Sequence, residues 1–418
     1  HYPLRRQRQM CIRDRNNRRK ILKSLASLPF LGTFLGTHAM EKQLVETTAQ
    51  IAGRDFFKEL GLRTFINAAG TYTSMTGSLM PKEVTEAINY GATQYVNLDD
   101  LQDKVGDRIA ELLNCEYATV TSGCFGAMSI AMAGILCGND PEKVKQLPRT
   151  DGWPNEVIIQ EGHQIGYAQA LTNVGAKVVL VKTTKDLEKA ISKKTVLLWF
   201  LNANAENGEI KWEEFVALGK KHNIPTFIDC AADVPPLSNL FRFTELGFDM
   251  VAFSGGKGLR GPQSAGLLLG KRKYIEAARM HTPPRGETIG RGMKVNKEEV
   301  LGMLVALELY LTKDHDKEWG MWEQQIELIS NSAKAIEGVD TEIHVPPHAN
   351  HVPSLRIRWD ENKVKTTADA VRKELREGHP SIQTVGDAKS IGITTWMMEP
   401  GQERIVAKKI HDLLKKAV

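Results

Sequence analysis

The chain has 418 residues, 42% of them hydrophobic and 25% charged, which is ample for a large core divided into two or three structural units. Its net charge of +5 is concentrated at the start: residues 1 to 39 hold nine Lys/Arg and one acid, and the rest carries 46 basic against 49 acidic side chains, a net of −3. A mildly acidic body argues against a nucleic-acid surface. The five cysteines (Cys11, Cys115, Cys124, Cys137, Cys230) contain no C-x-x-C pair, so neither a disulfide framework nor a metal site is expected, and no apolar run makes a convincing membrane span.

Residues 1 to 15 do not begin with methionine and look like a cloning scar rather than part of a fold. Residues 16 to 39 then present Arg18-Arg19 in a basic run, an uncharged apolar stretch from Ser24 to Gly36, and the small-residue end Thr37-His-Ala39. This is the layout of a twin-arginine export signal, and it predicts an exported, periplasmic enzyme if native, and a cytoplasmic one otherwise. An N-terminal segment is assigned to residues 40–80, with a short helix from Arg54 to Leu62. Ile66 to Thr73 reads as a small-residue loop carrying the hydroxyl of Thr71.

From Pro81 the pattern alternates. Helices are predicted after Pro81 and over Leu101–Leu113, then strand Tyr117–Thr121 and a helix to about Leu136. Strands Val157–Gln160, Lys177–Val181, Thr195–Leu201 and Thr226–Asp229 follow. Helices are predicted between them over Gly166–Val174, Asp186–Ile191 and Trp212–His222. Such alternation implies a mostly parallel sheet with helices on both faces, filling a large domain over 81–296. After two long helices, from Lys297 to Thr312 and from Trp319 to Ile336, shorter alternating elements imply a smaller α+β domain over 297–418.

Ligands of parallel sheets sit beyond the carboxyl ends of the strands. Ser122, His163, Asn204, Asp229 and Lys257 all fall just after a predicted strand. The Ser122-Gly123-Cys124 turn opens a helix, a seat for a phosphate. Lys257 stands among glycines after the apolar strand Met250–Phe253 and Ser254, with room to meet something bulky. A desolvated lysine of this kind suits Schiff-base chemistry. Asp229 ends the preceding strand. An acid and a lysine at successive strand ends are what pyridoxal phosphate needs, the acid for its ring nitrogen and the lysine for its aldehyde. Two other motifs overlap here and are rejected. Ser254-x-x-Lys257 lacks the K-T-G of penicillin-recognising enzymes. Gly256-x-Gly258-x-x-Gly261 runs into Pro262 and a strand rather than a helix.

With these residues in view, the body resembles the fold-type-I pyridoxal-phosphate enzymes, the aspartate-aminotransferase-like superfamily. Within them it is similar to the branch of selenocysteine synthase (L-seryl-tRNA selenium transferase) and D-glucosaminate-6-phosphate ammonia-lyase. The resemblance rests on Ile66 to Thr71, Tyr95 to Leu98, Thr121 to Gly123, Asp229 to Ala232, Ser254 to Lys257 and Gly290 to Glu299. It implies that Lys257 forms the internal aldimine with pyridoxal 5'-phosphate. Asp229 would pair with the ring nitrogen and Ala231 pack beneath the ring. Ser122, Gly123, Cys124 and Ser254 would hold the phosphate, His163 stack above the ring, and Asn204 belong to the same pocket. Thr71, Arg291, Lys294 and Arg356 are carried as substrate candidates. Two departures stand out: Cys124 occupies a position where a smaller or hydroxylic residue is expected, and little chain separates the leader from Arg54.

The expected function is a lyase acting on a small amino acid or amino sugar acid by β-elimination and ammonia release. A transferase of the selenocysteine synthase or aminotransferase type, and a catalytically silent protein of the same fold, are the alternatives. A homodimer or higher homo-oligomer is expected from the resemblance, with a small-molecule partner and no nucleic acid.

Overall fold

The computed structural model describes residues 53–418. The leader and its export signal lie outside the described residues. The described chain falls into two units, one ending at Arg63 and the other spanning Thr64–Val418. In the first, a single turn, Phe56–Glu59, is capped by the Asp55 carboxylate accepting from the Lys58 N–H, so the helix predicted to reach Leu62 is much shorter.

The second unit begins with β1 (Phe65–Asn67) and continues through the strands of a seven-stranded sheet: β2 (Tyr117–Thr121), β3 (Glu156–Gln160), β4 (Lys177–Val181), β5 (Thr195–Leu201), β6 (Thr226–Asp229), β7 (Met250–Ser254) and β8 (Gly266–Gly270). Their order is β2-β8-β7-β6-β5-β3-β4. Only β8 runs against its neighbours; the other pairings are parallel. The apolar runs follow from this topology, because a parallel sheet covered on both faces has no polar side. Along β5, Leu198 and Phe200 enter one core with Ile158, Ile228 and Phe253, while Leu197, Trp199 and Leu201 enter the opposite one with Phe227 and Met250. The helix Gly123–Cys137 is buried nearly all round. A Cβ on its Gly134 would come within 2.6 Å of the Ala278 backbone, so only glycine lets the helix Arg272–Arg279 lie so close.

The chain then forms the helices Lys297–Thr312 and His315–Lys334 and the strands β9 (Val339–His344), β10 (Ser354–Trp359), β11 (Ser381–Gln383), β12 (Val385–Asp387) and β13 (Ser390–Thr394). Four of these make an antiparallel sheet in the order β12-β13-β10-β9. Its core joins Leu355, Ile357, Ile391 and Ile393 to Ile326, Val406 and Ile410 of the flanking helices. The strand β1, expected as loop, pairs in parallel with β11, so the start of this unit is built into its C-terminal layer. No described helix is long and apolar enough to cross a membrane.

Candidate active site

The register of the large sheet lines up the candidate residues. Thr121 of β2 and Ser254 of β7 both pair with Gly266 of β8, which places Ser254 level with the turn that starts at Ser122. Gly123 turns there with φ of +72°, and the Thr121 hydroxyl donates to its carbonyl at 3.0 Å. A Cβ on Gly266 would meet the Gly123 carbonyl carbon at 2.7 Å, so the turn presses on β8 where a side chain is missing. One strand over, Asp229 pairs with Ala252, and on its other side with Leu201.

Lys257 sits on a loop folded hard against the turn that follows β6. A Cβ on Gly258 would lie 2.0 Å from the Val234 carbonyl, and one on Gly256 2.3 Å from Gln263 Cα, so the glycines flanking the lysine are demanded by contact. Lys257 is half-buried and opens into a cavity of about 530 Å³. Thr71, Tyr167, Asn350 and Arg356 line the same cavity. Arg356 is held at 3.1 Å by Glu342 of the neighbouring strand.

Asp229 is 2% exposed. Its Oδ1 accepts from the Ala231 N–H at 3.0 Å and from the Cys124 thiol at 3.2 Å. Burial raises its carboxyl above the ordinary range, opposed by those two bonds and by the charge of Lys257. The Cys124 side chain is therefore directed to the acid, which leaves its backbone for the turn that starts at Ser122.

His163 also departs from expectation. It is 0% exposed, packed edge-to-face on Phe200 with ring centroids 4.3 Å apart, and its Nδ1 accepts from the Leu201 N–H at 3.3 Å. Burial pushes it down to about 4, so it is neutral. The short helical turn after β3 points the ring into the core, and neither face is open to a stacked cofactor. Asn204 is half-buried and donates to the Gly162 carbonyl at 2.9 Å, tying together the loops after β3 and β5. Arg291 and Lys294 line a different open cavity, of about 520 Å³, with Val96, Pro284 and Lys297, and do not converge with Lys257. Ser122 borders a small crevice with Thr121 and Met293.

Sequence reasoning missed Tyr167, Asp233 and Asn350. Asn350 stands at φ of +49°, donates its N–H to the Ala232 carbonyl at 2.7 Å, and accepts from the Thr71 hydroxyl at 3.4 Å. Asp233, raised to about 6 by burial, accepts from the neighbouring Ala349 N–H at 2.9 Å. In the same loop, Pro346–His351, His348 pairs with Glu206 and His351 with the Pro346 carbonyl. The usable signal was the asparagine, a residue that tolerates a left-handed backbone. Among the described residues no His/Cys/Asp/Glu cluster is placed to hold a metal ion.

The family model for L-seryl-tRNA selenium transferase matches residues 65–345, most of the second unit. The chain belongs to that family. Among curated relatives, D-glucosaminate-6-phosphate ammonia lyase of Salmonella typhimurium is 27% identical over 78% of this chain and 88% of its own. A 5'-C-glycyluridine monooxygenase-decarboxylase of a Streptomyces species is 25% identical over 86% and 92%. The L-seryl-tRNA(Sec) selenium transferase of Alkaliphilus oremlandii is 28% identical, and the match covers 58% of its length. The solved structure of a D-glucosaminate-6-phosphate ammonia-lyase superposes with a TM-score of 0.77 at 24% identity, over 87% of this chain and 99% of that one. A serine palmitoyltransferase from S. paucimobilis, solved with a bound PLP–myriocin aldimine, gives 0.55 at 14% identity over 85% and 88%. The selenium transferase family member described here is thus an enzyme of fold type I, within a group of pyridoxal-phosphate-dependent lyases and transferases. Its residues fit that cofactor. A buried acid whose two bonds fall on one oxygen keeps the other for a cationic ring nitrogen, and a lysine opens into the adjoining cavity.

Proposed function

We propose that this protein is a pyridoxal-phosphate-dependent ammonia-lyase acting on a β-hydroxylated amino acid or amino sugar acid. The observation that carries it is one cavity shared by Lys257, Arg356, Thr71 and Asn350: an amine, a cation for a carboxylate, and two groups suited to a hydroxyl. Pyridoxal phosphate, when bound, supplies an electron sink for charge developing at Cα. The Ser122-Gly123 turn and Ser254 would hold its phosphate, Asp229 Oδ2 would hold the proton on its ring nitrogen, and Lys257 would hold its aldehyde. Arg356 takes the substrate carboxylate. With substrate bound, the Lys257 amine would take the Cα proton and deliver it to the departing β-hydroxyl, which leaves as water. Water returns when the released enamine is hydrolysed to a 2-keto acid and ammonia, so the net loss is ammonia. The similarity to the ammonia lyase over 78% of this chain and 88% of that one supports this reading.

The test is incubation of the cofactor-loaded protein with β-hydroxy amino acids and amino sugar acids, including D-glucosaminate 6-phosphate, with ammonia and 2-keto acid measured together. Stoichiometric release of both supports the lyase. Turnover without ammonia overturns it in favour of a transferase, the reading the family name favours.

We also infer a homodimer and an exported location. Val96 lines the cavity of Arg291 and Lys294, and the adjacent Tyr95 is fully exposed, a surface that a second copy would cover. Export rests on Arg18-Arg19 and the apolar stretch after them.

A further inference from the structure

Cys124 is the second residue of the helix Gly123–Cys137 that opens at the Ser122 turn, and its side chain reaches Asp229, the last residue of β6. There the thiol meets Asp229 Oδ1 at 3.2 Å. Both partners are buried, so no water substitutes for either. Burial, and then the charge of Asp229, raise the thiol well above its ordinary range; it stays protonated and donates. The Ala231 N–H reaches the same oxygen. Two donors on one carboxylate oxygen fix the rotation of the group and leave the second oxygen as its free acceptor. An S–H is a weak donor, so it orients the carboxylate while withdrawing little of its basicity.

We propose that Cys124 is a positioning residue for Asp229: its thiol holds the carboxylate through Oδ1 and thereby presents Oδ2 to the ring nitrogen of the cofactor. The proposal rests on the pyridoxal-phosphate reading above and adds to it a residue that acts only through the ring nitrogen.

That dependence supplies the test. Wild-type protein, Cys124→Ala and Cys124→Ser are stripped of cofactor. Each is titrated with pyridoxal 5'-phosphate and with its 1-deaza analogue, which carries carbon in place of the ring nitrogen. Binding is read by tryptophan fluorescence and visible absorbance. Losing one hydrogen bond to a buried charged group weakens pyridoxal phosphate roughly tenfold in Cys124→Ala, and Cys124→Ser recovers most of it. The analogue binds all three proteins alike, because it offers Asp229 nothing to hold. Equal losses for both ligands mean that Cys124 serves packing alone and overturn the proposal, as does unchanged pyridoxal-phosphate affinity in both variants. Wild-type protein that binds neither ligand overturns the cofactor reading itself, a result distinct from the other two. Cys124→Val, which fills the buried site but has no donor, carries the test if the alanine variant does not fold, with the same two outcomes expected of it.

Discussion

Arg260 donates from Nη2 to the carbonyl of Trp396 at 2.6 Å, and so fastens the loop that carries Lys257 to the chain just past β13. Its own backbone sits at φ of +54°, and its N–H returns to the Lys257 carbonyl at 3.0 Å. One residue thus sets the loop's turn from within and anchors it from outside. Arg260→Ala keeps the strained backbone and loses the anchor, and should cost about 1.5–3 kcal/mol, the range for a hydrogen bond to a charged donor. Arg260→Gly relieves the strain and recovers part of the loss. Urea unfolding midpoints for the two variants check the order; an alanine variant as stable as wild type would remove the anchor from the account.

Lys257→Ala should abolish the covalent hold on the cofactor. Borohydride reduction of the loaded wild type is expected to fix pyridoxal phosphate on the peptide containing Lys257, seen by mass. The variant should give no labelled peptide. Labelling of another lysine in the variant, at wild-type yield, would move the assignment elsewhere.

Asp229→Asn is expected to bind the cofactor more weakly and, once saturated with it, to lose turnover by ~10²-fold or more, the scale on which one electrostatic partner acts in a dry site. The measurement is kcat on whichever substrate the ammonia assay identifies. Unchanged kcat would mean the ring nitrogen is served by another group.

His163 gives a pH signature. Its folded value is about 4, below the 6.5 of the free side chain, so the unfolded chain binds the proton first. Stability is therefore highest above about 6.5 and falls as the pH drops towards about 4, levelling off below. His281, also buried and held near 4, adds a loss of the same sign. His163→Gln should flatten part of this acid slope while leaving the bound-cofactor absorbance intact, because the ring does not face the cavity. Loss of that absorbance would restore His163 to the cofactor's surroundings.

Export is checked by fractionating a native host that carries wild-type protein or the Arg18→Lys, Arg19→Lys double variant. Wild type should appear outside the cytoplasm, shortened near Ala39, and the variant should stay inside. Uncleaved wild type confined to the cytoplasm ends the export reading.

The residues that could be read from the sequence share one property: their place is set by the end of an apolar run. β5, β6 and β7 announce themselves by their apolar runs; Asp229 is the last residue of β6, and Lys257 comes three residues after β7. The helices Trp212–His222 and Lys297–Thr312 match their predicted bounds, the first by amphipathic spacing. What escaped depends on distant chain. The pairing of β1 with β11 leaves no local trace in three residues. Asn350 reaches the cavity from a loop and Tyr167 from the short helical turn Gly166–Ala168, while Arg291 and Lys294 line a different cavity. His163 was placed at the right strand end, but nothing in Glu161-Gly-His163 tells which way the ring will turn.

The parallel pair of β1 and β11 also has a bearing on biosynthesis. Ile66 is among the first apolar side chains of its unit to leave the ribosome, and its partner Ile382 is among the last. The strand that leads into Thr71 must therefore wait, unpaired, while nearly the whole unit is translated, and the wall of the cavity it supplies is finished late. A nascent chain arrested before Ser381 would carry Lys257 and Asp229 in place and still lack that wall.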